Sequence, residues 1–145
     1  MESNYNAFMK ANKKIDKIEY EYPASKSFVD EKGEVIKWKF KKLPVEMFNS
    51  LKDKYTKTEM VGSGKNIRYI PILNAEGFNK ELIVSSCVYP NLNNEELQNS
   101  YGVKDSVGLL FELITDPGEY TDLVVFVQGV HGFKSFSEMV DDAKN

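Results

Sequence analysis

The stretch from Leu92 to Phe133 constrains this chain most, because three helix starts fall within it, each followed by apolar residues at helical spacing. Asn93 stands where a cap belongs, with Glu96 three places on and Leu92 and Leu97 where a hydrophobic staple would put them. Gly102 is placed to stop that helix. Asp105 or Ser106 starts the next, through Val107, Leu110, Phe111 and Ile114. Asp116, Pro117 and Glu119 open a third, which runs to about Val130 with Tyr120, Leu123, Val124, Val127 and Val130 on one stripe. A good cap contributes about 1 kcal/mol, so these signals together set where helices begin. Upstream, Asn74 caps a helix through Phe78, Leu82, Ile83 and Cys87, ending near Tyr89 because Pro90 disfavours helical geometry before it. Ser135 and Glu138 repeat the cap spacing for a last short helix.

The first half reads differently. Residues 1–24 form a weakly ordered arm with a short helix near Ala7–Asn12, in which Phe8 and Met9 are the apolar anchors. Residues 26–43 make a β-hairpin: Phe28 and Val29 precede the turn DEKG, Gly33 supplies a positive φ, and Val35, Ile36, Trp38 and Phe40 follow. Lys37, Lys39, Lys41 and Lys42 interleave with Trp38 and Phe40, and three of them share the period of two that gives a strand a charged face opposite its apolar one. That face is either simply solvated or a patch for an acidic partner. Pro44 starts a helix over 44–56 with Met47, Phe48, Leu51 and Tyr55 on one side. Gly62-Ser63-Gly64-Lys65 hints at a phosphate loop. Glu59 stands where the first glycine should be and Asn66 where Ser or Thr should be, so a loop is the better reading. Residues 67–73 suit a short strand, kept to an edge by Pro71. The expected class is α+β: an N-terminal β-hairpin or small antiparallel sheet, then a C-terminal bundle of four to five short α-helices. Residues 25–145 then form one domain, helical from about 74 to 143.

Composition excludes several functions. No apolar run in the 145 residues is long enough to cross a bilayer. Residues 61–145 hold 6 basic against 12 acidic side chains, which argues against nucleic-acid binding by the helical half. Cys87 and His131 are single, so no disulfide pairs within the chain and no zinc set is expected. Cys87, in LIVSSCV, reads as a buried thiol. The carboxylates Glu96, Asp116 and Glu119 are explained by capping, and Glu95, Asp141 and Asp142 by solvation. No catalytic residue, cofactor or metal is expected.

Val125 and Phe126 lie off the main stripe of the third helix, leaving it apolar on most of its circumference. Such a helix is either buried all round or offers an apolar strip to a partner. Here several segments resemble a known family in order and spacing: AFMKANK (7–13), SKSFVDEKGEVIKWKFKKL (25–43), SSCVYPNLNNEELQ (85–98), ELQNSYGV (96–103), GEY with its following leucine (118–123) and VQGVHGF (127–133). They are similar to the tail assembly chaperones of phages and defective prophages, of the PBSX-like kind. The likeness spans Ala7 to Phe133, departs at Thr115-Asp116-Pro117, and finds no match over 56–73.

The resemblance implies a non-enzymatic role in building a phage tail. It implies binding to the tape-measure protein, which stays soluble and extended until tail-tube protein polymerises around it. It also implies work in the bacterial host cytoplasm, absence from the mature particle, and possible self-association, with neither nucleic acid nor membrane as partner. A minor structural tail protein retained in the particle is the alternative. Tyr101, Val125, Phe126 and Phe133 are the expected partner-binding residues, and Tyr101, Gly102, Glu119, Tyr120 and Gly132 of the family's motifs are expected to shape the module.

Overall fold

A computed structural model describes residues 5–14 and 17–133. The chain is an α+β protein. Its main sheet has three antiparallel strands in the order β1 (Glu19–Tyr22), β2 (Trp38–Lys41), β5 (Cys87–Tyr89). Between them in sequence come helix α1 (Val45–Lys54), a separate two-stranded hairpin β3 (Thr56–Val61) and β4 (Arg68–Leu73), and helix α2 (Ala75–Ser86). Three helices follow: α3 (Glu95–Ser100), α4 (Ser106–Leu113) and α5 (Pro117–Val130).

The core forms where the sheet meets α2, α4 and α5. Trp38 and Phe40 are two residues apart on β2, so both point inward, and both are buried. Lys39 between them is half-buried, while Lys37 and Lys41 are exposed, as the period of two requires. Leu82 and Ile83 of α2, Leu109 and Leu110 of α4, and Leu123 and Val127 of α5 complete the interior. Each such side chain contributes about 1.5–3 kcal/mol by leaving water.

The caps act largely as their residues suggest. The side chains of Asn74, Asp105 and Asp116 accept the N–H of Gly77, Gly108 and Glu119, starting α2, α4 and α5. Two helices end in the same way. Gly102 (φ 69°) and Gly132 (φ 89°) take the left-handed conformation after α3 and α5. The N–H groups of Val103 and Phe133 then bond back to the carbonyls of Gln98 and Gln128, closing Schellman motifs.

Several elements differ from the sequence expectation. Residues 19–22, assigned to the arm, form β1 and pair with β2, setting Tyr20 opposite Phe40 and Tyr22 opposite Trp38. The arm's helix resolves into two 3-10 turns, Asn6–Phe8 and Lys10–Asn12. The hairpin expected over 26–43 closes only through a Val29–Val35 bridge, around a turn where the Asp30 carboxylate accepts the N–H of Lys32 and Glu34 and Gly33 has φ 81°. β1, not this turn, supplies the strand beside β2. Helix α2 stops at Ser86, and Cys87–Tyr89 become β5 because the free edge of β2 offers them backbone partners. The cap of α3 is Asn94, whose side chain accepts the Leu97 N–H. Asn93 instead donates its N–H to the Asn91 side chain, which moves the helix start by one residue and takes Glu96 out of the capping box. The expected helix from Ser135 lies outside the described residues.

Glu119 also departs from its expected role. Its carboxylate leaves the helix end and accepts the Ser25 hydroxyl at 2.9 Å and the Lys26 N–H at 2.8 Å. Ser25 is buried, so this contact ties the chain after β1 to the start of α5 and satisfies a hydroxyl that burial would otherwise penalise.

Candidate functional site

An apolar groove opens beside the sheet where α3 approaches it. Trp38 of β2 and Leu113 of α4 form its floor, being 2% and 6% exposed. Phe28 and Ile36, from either side of the DEKG turn, line it alongside Tyr89 and Pro90 at the end of β5. Leu97 and Tyr101 of the α3 segment complete it. The groove holds about 290 Å³. It shares Tyr89, Pro90 and Leu97 with a wider depression of about 560 Å³, where Asn91, Asn94, Glu96 and Ser100 add polar groups. An apolar trough continuing into a shelf that carries a carboxylate is suited to an amphipathic segment laid along it.

Local sequence chemistry positions each wall. The Asn94 cap and the Gly102 Schellman turn leave α3 only six residues, so Leu97 and Tyr101 sit one turn apart on the same side. The Gln98 side chain donates to the Leu92 carbonyl at 2.8 Å and fixes the helix against its entry loop. Cys87 donates its thiol to the Pro90 carbonyl at 3.4 Å, steadying the β5 end beneath Tyr89. Burial pushes the Cys87 thiol up to about 12, against a weaker opposing pull from the backbone of Tyr89, so the thiol stays protonated and unreactive.

The four residues expected from sequence to bind a partner do not converge. Tyr101 is half-buried and lines the groove. Val125 is 54% exposed on α5. Phe126, on the same helix, stacks on Tyr22 with centroids 4.3 Å apart and meets Phe40 edge-on at 5.7 Å, so its ring packs against the sheet. Phe133 is 51% exposed and stacks on Phe48 of α1 at 5.5 Å, beside a second, smaller hollow of about 210 Å³. Among the lining residues, Leu113 carries no sequence signal of its own, while Phe28 and Ile36 read only as hairpin residues and Tyr89 only as a helix end. They come from segments far apart in sequence and meet only in the fold.

His131 lies next to Phe48 and bridges two backbones. Its Nε2 accepts the Leu43 N–H at 3.1 Å, while Nδ1 lies 2.9 Å from the Val127 carbonyl. Only the neutral ring protonated on Nδ1 satisfies both contacts. Burial lowers its pKa, the Val127 carbonyl pulls the other way, and Lys42 adds a small further lowering. Two of its three settings therefore favour the neutral form. Among the described residues, no three His, Cys, Asp or Glu side chains cluster as a metal set. No described helix is long and apolar enough to cross a membrane.

Comparison with known proteins agrees with this architecture. A family described as phage XkdN-like tail assembly chaperone protein, TAC, matches residues 5–144. The uncharacterised protein YqbN of Bacillus subtilis (strain 168) is 28% identical over 138 residues, covering 94% of this chain and 90% of YqbN. The phage-like element PBSX protein XkdN of the same organism is 27% identical over 141 residues, covering 96% and 93%. The crystal structure of YqbN superposes with a TM-score of 0.71 at 25% identity, covering 92% of this chain and all of that one.

Proposed function

Since the chain belongs to the phage XkdN-like tail assembly chaperone proteins, which gives it a role in phage tail assembly, we propose that it fulfils that role by holding an apolar helical segment of a tape-measure protein in the groove beside α3. The observation that carries this reading is the groove itself: a floor of Trp38 and Leu113, with Tyr89 half exposed and Tyr101 half buried along its sides. Aromatic walls over an apolar floor accept the apolar stripe of an amphipathic helix, whose anchors recur at every third or fourth residue. A groove of about 290 Å³ takes only one or two such anchors. Each contact is therefore modest. Many copies along a long client hold it soluble and extended, and each copy can still leave when tail-tube protein polymerises around the client.

No bond-making step enters this reading. It places the work in the host cytoplasm, with tape-measure and tail-tube proteins as partners and the chaperone absent from the finished particle.

The test is co-expression with a tape-measure fragment. The wild-type chain should keep the fragment soluble and co-purify with it. Tyr101→Glu and Leu97→Asp should lose that ability while retaining the wild-type circular dichroism spectrum. If both folded variants rescue the fragment as well as wild type, the groove is not the binding surface. If mass spectrometry of purified tails finds the chain in stoichiometric amount, the retained minor tail protein is the correct reading.

A further inference from the structure

Among the described residues the β3–β4 hairpin is paired only with itself. Its six-residue register runs from Thr56–Leu73 to Val61–Arg68, and neither strand joins the main sheet. Met60 and Tyr69 on one face are 61% and 70% exposed, and Ile70 and Ile72 on the other are 38% and 39% exposed. A lone two-stranded ribbon is marginal in water, and further strands stabilise it.

Its two outer edges are not equivalent. Pro71 lies mid-strand in β4, opposite Thr58. Proline has no N–H, so it fits the ladder where its nitrogen faces outward, and there it interrupts the outer edge of β4. Thr58, across from it, then directs its own N–H and carbonyl outward from β3. The open edge is therefore β3, centred on Thr58.

The charges on that edge decide what can pair with it. Lys57 and Glu59 flank Thr58. A row of one sign would repel a second copy, which is how many edges are protected. One positive and one negative group placed evenly about a centre are instead self-complementary under a two-fold axis.

We propose that two copies of this chain associate through their β3 strands, antiparallel and in register about Thr58, to form a four-stranded sheet β4–β3–β3–β4. The two Thr58 residues exchange backbone hydrogen bonds, and each Lys57 faces the second copy's Glu59. The surface is separate from the groove, so the client and the second copy do not compete for it.

Sedimentation velocity over a wide concentration range tests this on the isolated chain. A monomer–dimer equilibrium is expected. Lys57→Glu and Glu59→Lys should each weaken it by about tenfold, since each sets like charges opposite at two places. The double variant Lys57→Glu/Glu59→Lys should restore it. On a Cys87→Ser background, Thr58→Cys should oxidise to a covalent dimer, because opposed residues in a hydrogen-bonded pair lie about 5.5 Å apart, within disulfide range. Lys57, Thr58 and Glu59 are exposed on the hairpin, so the charge reversals should keep the wild-type melting temperature at concentrations where the wild-type chain is monomeric. A chain that stays monomeric at every concentration overturns the proposal. So does a dimer indifferent to the single reversals, or one that the Thr58→Cys substitution fails to cross-link. A hairpin that binds a tape-measure fragment while the chain remains monomeric overturns it too.

Discussion

The helical body and the β3–β4 hairpin are built on opposite terms. In the body, side-chain caps and glycine stops settle the ends of short helices, and Leu82, Ile83, Leu109, Leu110, Leu123 and Val127 close around Trp38 and Phe40. In the hairpin no residue is buried, and its stability rests on one ladder and on its attachment at Tyr55. That attachment is specific. The Tyr55 hydroxyl donates to the Glu81 carboxylate, which also meets Lys54 at 2.8 Å. The Tyr55 ring lies so close to Gly77 that a Cβ there would sit 2.6 Å from it. The Asn74 N–H, just after β4, donates to the Tyr55 carbonyl at 2.7 Å. The body is thus held by burial and the hairpin by its root. A surface with no core behind it can serve a partner without disturbing the fold.

The largest expected separation between the two regions is in stability. Trp38→Ala should cost about 3–5 kcal/mol in denaturant unfolding, because it empties the floor where sheet and helices meet. Tyr69→Ala in the hairpin should stay within about 0.5 kcal/mol. If Tyr69→Ala destabilised the isolated chain as strongly as Trp38→Ala, the contrast would be wrong.

A smaller difference lies within the body, between two glycines. Gly102→Ala should destabilise by about 1–2 kcal/mol, since φ 69° suits glycine and strains alanine even though a Cβ would have open space there. Gly129, inside α5 with nothing within 4 Å of an added Cβ, should give a gain of about 0.5–1 kcal/mol as alanine. Thermal melts of the two variants should move in opposite directions.

The smallest effect is a pH dependence confined to the body. His131 has a folded pKa below its ordinary 6.5, chiefly because burial disfavours the charged ring. The unfolded chain therefore takes up the proton first. Stability is whole above about pH 6.5 and falls as the pH drops from there through the folded value. His131→Gln should flatten the melting temperature across that window. Glu81 acts lower down: its hydrogen bonds from Lys54 and Tyr55 hold its pKa below 4.5, so its contribution is lost only as the pH falls beneath that value. A wild-type melt unchanged between pH 7 and pH 5 would contradict the His131 geometry.

How much of this was legible beforehand follows from the range of each signal. Caps at Asn74, Asp105 and Asp116 and stops at Gly102 act within four residues, so spacing alone exposes them. Strand β1 left a trace in the alternation Glu19-Tyr20-Glu21-Tyr22, but four residues of tyrosine and glutamate carry little apolar contrast. So faint a trace has a consequence for α5. Without the sheet extended to Tyr22, only Phe40 is left to supply the surface against which Phe126 packs, and its stacking partner is missing. The hairpin was half legible. Pro71 marked an edge strand, yet β3 faces solvent on both sides and shows no apolar period to find.

By itself the sequence determined the class of fold, the starts of α2, α4 and α5, the glycine stop after α3, the inward pair Trp38 and Phe40, and the family to which the chain belongs. Each of these rests on neighbours in the chain or on motifs kept in order. Tertiary structure decided the groove and the Glu119 tie to Ser25 and Lys26. Those depend on residues up to 94 positions apart meeting across the core, and a local pattern holds no record of a contact whose energy arises only when distant segments share a surface.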